Sequence, residues 1–386
     1  MQSHLATSYK EQRPSDRVTL RSVNDANGFS GSDQHLWWDH MSPMLRQMLC
    51  TTGYGTAQIS HCLSMLQNEI IPSIGPFPRN NSRPTFKHAL SGIGALEFLL
   101  NIDSLQDTVR IAFEPTSHLA GTKDDPCNKR TTRDVLYDFR DRGVIPDDGL
   151  NLEPFEQFVD RLTISDVEIQ RLQSENKLQD HMPLTQHLLT FNYAHEDKGN
   201  IGLGICVYPM AKAIACDVPA LDMMFNSIRM VDTTRQYSAS LKMLVDYFSS
   251  SDPQTCGGLM LSCDLVPLAR ARLQVVVYEF QINFDRAAEL WTLGGQLATP
   301  QTSTGLAKMR KLFSMLETEI AAVKSGLPMM FGYRLSPGNP HPHPTITLPL
   351  VGINDKAAAD HIAVFMEWNG WRDRASCYAE RLASYA

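Results

Sequence analysis

Apolar residues recur at three- and four-residue intervals from His35 to Ile71: Trp37, Trp38, Met41, Met44, Leu45, Met48 and Leu49, then Leu63, Leu66 and Ile70. That spacing lays them along one face of a helix. Pro72 and the Gly75-Pro76-Phe77-Pro78 group end the helical pattern. The period then shortens to two, and Ala95–Asn101 and Val109–Glu114 are predicted as strands. A polar helical region from Thr131 to Lys177 separates them from a second strand pair, His187–Tyr193 and Asn200–Val207. The unit then repeats. A helical Leu221–Phe248 leads to strands Gly258–Leu265 and Arg272–Gln281, and a helical Phe284–Val323 leads to strands Met329–Leu335 and Thr345–Val351. One last helix is predicted from Ala357 to Ser384.

Two strands arrive together each time, which is not the βαβ pattern of a parallel sheet. Successive hairpins build an antiparallel sheet, and helices returning over one face cover its outside. Closing such a sheet removes its edges and encloses a cavity. The predicted fold class is therefore α+β: an antiparallel β-barrel of repeated ααββ units with an outer ring of helices. It forms one domain over residues 35–386. Residues 1–34 are polar throughout and are predicted to be a mobile N-terminal arm.

Composition narrows the functions open to this chain. A net charge of −7 and a pI near 5.9 provide no basic field for nucleic acid or anionic lipid, so a phosphorylated ligand needs a local cluster of Lys and Arg. No run of 18 apolar residues suggests a membrane span, and the N-terminus has no signal-peptide core, so a cytoplasmic location is expected. The eight cysteines (Cys50, Cys62, Cys127, Cys206, Cys216, Cys256, Cys263 and Cys377) show no C-x-x-C spacing and are expected to be reduced core residues. The His341-Pro342-His343-Pro344 run is expected as an extended loop, because alternating prolines keep it out of regular structure. Asp124-Asp125 and Asp147-Asp148 do not continue into the D-D-x-x-D magnesium motif, and no phosphate-binding or nucleophile-elbow glycine motif is present. Neither a metal nor a cofactor is expected. Gly202 and Gly204 mark a place where a strand passes something bulky.

Several strings, in order along the chain, carry a resemblance. Trp37-Trp38, Gly53-Tyr54 and Ile74-Gly75-Pro76-Phe77-Pro78 open it. Ala95-Leu96-Glu97-Phe98 and Val109-Arg110-Ile111-Ala112-Phe113-Glu114-Pro115 follow. Then come Cys263-Asp264-Leu265-Val266 with Arg272, Trp291-Thr292-Leu293-Gly294-Gly295, and Gly352-Ile353-Asn354-Asp355. Together these resemble the fungal dimethylallyltryptophan synthase-type aromatic prenyltransferases, whose fold is a ring of ααββ units around an antiparallel barrel. The resemblance implies metal-independent transfer of a prenyl group from an allylic diphosphate to an indole-like aromatic acceptor in secondary (indole alkaloid-type) metabolism.

It also implies site residues. Glu97 matches the carboxylate that accepts the indole N–H and raises ring nucleophilicity. Arg110 and Arg272 match two of the cations that hold the diphosphate. Thirteen residues separate Glu97 from Arg110, which suits neighbouring strands facing one lumen. Elsewhere the chain departs from the family pattern. Gly204 and Gln274 stand where it has Lys, and Thr345 where it has Lys or Gln, leaving a diphosphate of about three charges undercompensated. Cys206, Val276 and Thr347 stand where it has the tyrosines that shield the allyl cation. Tyr208 and Tyr278 lie two residues further on, on the same strand faces. Two more strands are expected after the last helix, and the sequence stops at Ala386. An open barrel would expose strand edges, to be covered by the N-terminal arm or by a second copy in a homodimer. Three readings remain: a prenyltransferase, a cyclase or pericyclase that holds an already prenylated aromatic, and a binder of small aromatics.

Overall fold

The computed structural model describes residues 31–78, 86, 88–90, 94–103, 106–146, 149–175, 177, 184–193, 201–250, 255–322, 326–350 and 353–385. The predicted arm therefore lies outside them except for residues 31–34, which are already helical. Helix α1 (Gly31–Thr51) buries Trp37, Met41, Leu45, Met48 and Leu49 on one face, as the three/four spacing requires. The single helical run predicted over 35–71 is broken after Thr51 because Gly53 takes φ +84°, and helix α2 (Thr56–Met65) restarts beyond it. Between them, Tyr54 donates its hydroxyl to the Tyr193 carbonyl at 2.7 Å and accepts from the Val109 amide at 3.3 Å. That ring ties the helical layer to the sheet.

Eight strands follow in four hairpins: β1 (Leu96–Asn101) with β2 (Thr108–Phe113), β3 (His187–Tyr193) with β4 (Ile201–Val207), β5 (Cys256–Asp264) with β6 (Leu273–Glu279), and β7 (Met329–Leu335) with β8 (His343–Thr347). All neighbours are antiparallel, and the sheet order is the chain order, β1 to β8. Helices α3 (Arg130–Asp141), α4 (Glu153–Leu162) and α5 (Asp166–Ser174) connect β2 to β3. Helices α6 (Met210–Cys216), α7 (Ala220–Val231) and α8 (Ser238–Phe248) connect β4 to β5, and α9 (Phe284–Thr292) and α10 (Pro300–Ala322) connect β6 to β7. The chain continues from β8 into α11 (Asp355–Trp368) and α12 (Arg372–Ala383).

Period-two alternation divides the sheet into two faces. Val109, Ile111, Phe113, Leu189, Phe191, Ile205, Leu261, Val275, Val277, Phe331 and Tyr333 join the helices in the main core. Their alternate neighbours face the other side. The sheet is strongly curled: in a flat sheet β2 and β7 would be about 24 Å apart, at ~4.8 Å per strand, yet Arg110 and Arg334 lie within electrostatic reach of one another. Curvature is helped by an irregularity between Gly258 and Met260 on β5. A Cβ at Gly258 would fall 2.6 Å from Met224 Cε and 2.7 Å from the Leu221 amide nitrogen, so α7 packs against bare strand backbone there.

Several sequence expectations need correction. Strand β8 begins at His343, two residues earlier than predicted, and takes in Pro344 from the expected loop. It has β7 on one side and no further strand on the other among the described residues, and an edge strand tolerates a proline. The last helix is two helices, because Gly370 at φ +84° ends α11. Cys50, Cys216 and Cys377 are exposed rather than core residues, while the other five are buried; all eight are free thiols. The Trp291-Thr292-Leu293-Gly294-Gly295 string is a helix stop: Leu293, Gly294 and Gly295 all have positive φ, and Trp291 donates its indole N–H to the Thr302 carbonyl at 2.8 Å.

Beyond β8 the chain turns back toward the first hairpin. Helices α11 and α12 lead the chain back to the β1–β2 turn, where Arg374 and Arg381 both bond Asp107, the latter at 2.6 Å. Tyr385 meets Thr51 of α1 at 2.7 Å.

One buried group makes stability depend on pH. His187 on β3 is buried against Phe155 of α4, and neither ring nitrogen has a hydrogen-bond partner. Burial, with lesser contributions from Lys129 and Arg133, pushes its pKa down to about 3. Below the unfolded value of about 6.5 the unfolded chain takes up a proton that the folded chain refuses, so stability falls as pH falls. Each unit is worth about 1.4 kcal/mol, so roughly 2 kcal/mol is lost between pH 6.5 and 5. Urea unfolding of His187→Leu at both pH values is expected to show a smaller loss than the wild-type protein shows. An equal loss in both would clear this residue.

Candidate active site

The concave face of the curled sheet collects the candidate residues. Pairing places Glu97 opposite Ala112, and Arg110 opposite Leu99, so Glu97 and Arg110 are diagonal neighbours on one face. Such diagonals are spaced about 7–8 Å. On the same rows, Ala112 leads to Thr190 and Gly204, and Gly204 to Asp264. One row on, Leu188, Cys206, Ser262, Gln274, Arg334 and His343 follow one another across the sheet.

Two carboxylates at the β1–β2 end differ in their surroundings. Glu114 is 1% exposed and fully engaged, accepting from Thr185 Oγ1 at 2.9 Å and lying 3.0 Å from His88 Nδ1. It is a structural acid that pins the approach to β1. Glu97 has no hydrogen-bond or ion-pair partner among the described residues, and burial raises its pKa. A half-buried carboxylate without a partner carries a desolvation cost that the fold does not offset, which marks it as available to a ligand.

Three guanidiniums gather on the same face. Arg272 is bound by Asp264, Nε to Oδ2 at 2.7 Å and Nη2 to Oδ1 at 3.3 Å, and that bond raises its pKa. Burial, and after it the charge of Arg272, lowers the pKa of Arg110 and likewise of Arg334. Neither of these two has a carboxylate within ion-pair distance among the described residues. Arg334 Nη2 lies 3.4 Å from His343 Nδ1, and burial followed by the Arg334 charge lowers the pKa of that histidine. Arg334 and Asp264 were absent from the sequence candidates. The signal for Arg334 was present in the alternation Met330, Gly332, Arg334 on a predicted strand.

Gln274 and Thr345 come together. The Gln274 amide donates to Thr345 Oγ1 at 3.2 Å, and Thr345 donates to the Gly332 carbonyl at 3.1 Å. A Cβ on Gly332 would collide with Gln274 Nε2 at 2.0 Å, so the amide lies flat on the sheet at that glycine. Cys206 contacts the Ser262 hydroxyl at 3.5 Å, and burial raises its thiol pKa. It joins Ala112 and Leu188 in an apolar patch that Leu99, Tyr208 and Met260 flank. Val276 is buried on the neighbouring row, opposite Met260 and Gly332. Tyr278 lies across Gly257, whose absent Cβ would be 2.6 Å from the ring Cζ, and meets Phe280 edge-on with centroids 5.5 Å apart. Thr347 is opposite Met330 at the end of the sheet. Both Tyr208 and Tyr278 thus belong to the concave face. Among the described residues no three His, Cys, Asp or Glu side chains come together as a metal site.

The arrangement offers a carboxylate for a polarised N–H, a guanidinium cluster for a polyanion, and an apolar and aromatic wall between rim and floor. Comparison with known proteins points the same way. The family described as tryptophan dimethylallyltransferase matches residues 33–381. The prenyltransferase malB of Malbranchea aurantiaca is 31% identical over 361 residues, which span 92% of this chain and 96% of that protein. The roquefortine prenyltransferase roqD of Penicillium rubens is 30% identical, over 92% of this chain and 84% of its own. Among solved structures, AnaPT from Neosartorya fischeri matches with a TM-score of 0.82 at 26% identity, covering 94% of this chain and 88% of that one. NotF in complex with brevianamide F and DMSPP matches with a TM-score of 0.80 at 27% identity, over 95% and 89%.

Proposed function

The chain belongs to the tryptophan dimethylallyltransferase family, and from that premise we propose that it transfers a prenyl group from an allylic diphosphate to an indole-bearing acceptor. The observation that carries this reading is the placement of an unpartnered Glu97 beside the arginine cluster on one concave face. Glu97 accepts the indole N–H and enriches the ring, which is the nucleophile. Arg110 and Arg272 hold the diphosphate and stabilise it as the allylic C–O bond breaks and the electron pair leaves with it. A ring carbon then bonds to the allylic carbon, and loss of the proton from that ring carbon restores aromaticity. Tyr208 and Tyr278 supply aromatic faces toward the cation, each contact worth about 0.5–2 kcal/mol. Cys206, Val276 and Thr347 leave space rather than rings. No helix among the described residues is long and apolar enough to cross a membrane, and the reaction is proposed to take place in the cytoplasm.

A cyclase or small-aromatic binder on the same scaffold is favoured by one observation: Gln274 and Thr345, at positions where the resemblance leads one to expect cations, are neutral and hydrogen-bond each other. Calorimetric titration with dimethylallyl, geranyl and farnesyl thiolodiphosphates separates the readings. The wild-type protein is expected to bind at least one of them, and Arg110→Ala to weaken that binding by tenfold or more, since a charge-assisted bond contributes about 1.5–3 kcal/mol. Absence of binding at millimolar ligand would overturn prenyl transfer in favour of the alternative.

A further inference from the structure

We propose that Arg334 on β7 is a third diphosphate-binding residue, the one that completes the charge Arg272 cannot supply. This rests on the prenyl-transfer reading of the site. Asp264 holds Arg272 through two hydrogen bonds, so that pair together presents little net charge to a ligand. Arg110 and Arg334 carry the uncompensated charge of the cluster. They come from opposite sides of the arc, β2 and β7, and each lies close enough to Arg272 to feel its charge. The two guanidiniums without an ion pair repel each other and are partly dehydrated, a cost that an anion bound between them offsets.

The local geometry supports Arg334 in particular. It shares a register row with Gln274 and lies beside Thr345, which pairs with Gly332 two residues away on β7. Gln274 is drawn down across Gly332 and tied to Thr345, which clears the space above the sheet at this row. His343 on the edge strand flanks the guanidinium from the other side, its Nδ1 at 3.4 Å from Nη2, and acts as a positioning residue. A guanidinium presents a planar fork that two oxygens of a phosphate can occupy together, which an amide or hydroxyl at this row cannot imitate. The chain thereby places cations on β2, immediately before β6 and on β7, so the diphosphate is gripped across the curl rather than along one hairpin.

The test uses the full chain with dimethylallyl S-thiolodiphosphate and inorganic pyrophosphate as titrants. Arg334→Gln is expected to weaken both by about tenfold or more and to raise KM for the prenyl donor while leaving KM for the aromatic acceptor unchanged. Arg334→Lys keeps the charge without the fork and is expected to recover part of the loss. It also guards against a folding defect in the Gln variant, which a thermal melt would reveal. If the wild-type protein binds the donor and both variants bind it equally well, the assignment is overturned and the functional reading stands. If the wild-type protein binds neither titrant, both fall together.

Discussion

Glu97→Gln is expected to lower kcat for prenyl transfer by a hundredfold to ten-thousandfold, about the range for a positioned acid–base group. The amide keeps the size and one acceptor of the carboxylate but removes the charge that polarises the indole N–H. The same change is expected to raise the melting temperature. Burial holds the Glu97 pKa above its ordinary value, and no partner compensates the ionised form among the described residues. In the window between the unfolded and the raised folded pKa, the folded chain binds more protons than the unfolded chain, so stability is lost as pH rises through it. The Glu97→Gln variant does not carry that cost. Activity should show the complementary limb: it falls as pH drops through the raised pKa, at a pH above the usual carboxylate range, and this limb disappears from the residual activity of the Glu97→Gln variant. Steady-state kinetics across pH with a thermal melt of each protein checks both halves. An unchanged kcat removes Glu97 from the mechanism, and a lower melting temperature makes it a structural acid like Glu114.

The contrast between those two glutamates shows how the site is organised. Glu114 follows β2 and is held by His88, Thr185 and Asn128, from three separate segments of chain. Asp264 is likewise taken up by Arg272. Glu97, Arg110 and Arg334 are concave-face charges that form no ion pair among the described residues. Folding satisfied their neighbours and left these three, which is the distribution expected when a ligand completes the pairing.

Much of this scaffold is legible in the pattern of apolar positions. Strands β3 and β7 begin and end where the alternation says, because both faces are constrained, one by the helices and one by the lumen. Strand β8 is misplaced in the sequence because its prolines resemble a loop, and only pairing with β7 makes His343 and Pro344 extended. The site is less legible. Glu97 and Arg110 follow from a hairpin whose register is local. Arg334 becomes part of the cluster only through the curl that brings β7 toward β2, a long-range consequence of the five strand pairings between them that no local string encodes. The Gln274–Thr345 bond is of the same kind: the two residues are separated by helices α9 and α10 and meet through the β6–β7 and β7–β8 registers. Motif matching identifies both positions as lost cations and cannot show that they satisfy one another.

Asp107→Ala is expected to cost about 3 kcal/mol of stability, because it leaves two arginines facing the space of one buried carboxylate. Asp107 lies 6% exposed in the β1–β2 turn, where Arg374 and Arg381 of α12 converge on it. Burial alone would raise its pKa, but the hydrogen bonds from Arg381 and Arg374 outweigh that and hold it below the ordinary carboxylate value. Its contribution is therefore fully present at neutral pH and is lost as pH falls through the lowered folded value. The consequence is more than local. Among the described residues this carboxylate is the junction at which the chain leaving β8 is fastened to the first hairpin, helped by Tyr385 against Thr51 and Ser384 against Gln47. None of α12 is buried, so little apolar packing would hold it in place once the ion pairs are removed. Hydrogen exchange should accordingly speed up over Arg372–Ala383 in Asp107→Ala, with Asp107→Asn falling between. Loosening there frees the strand that carries Glu97, since β1 is otherwise paired on one side alone among the described residues. An unchanged unfolding midpoint with unchanged exchange in α12 would show that the sheet holds its curl without this fastening.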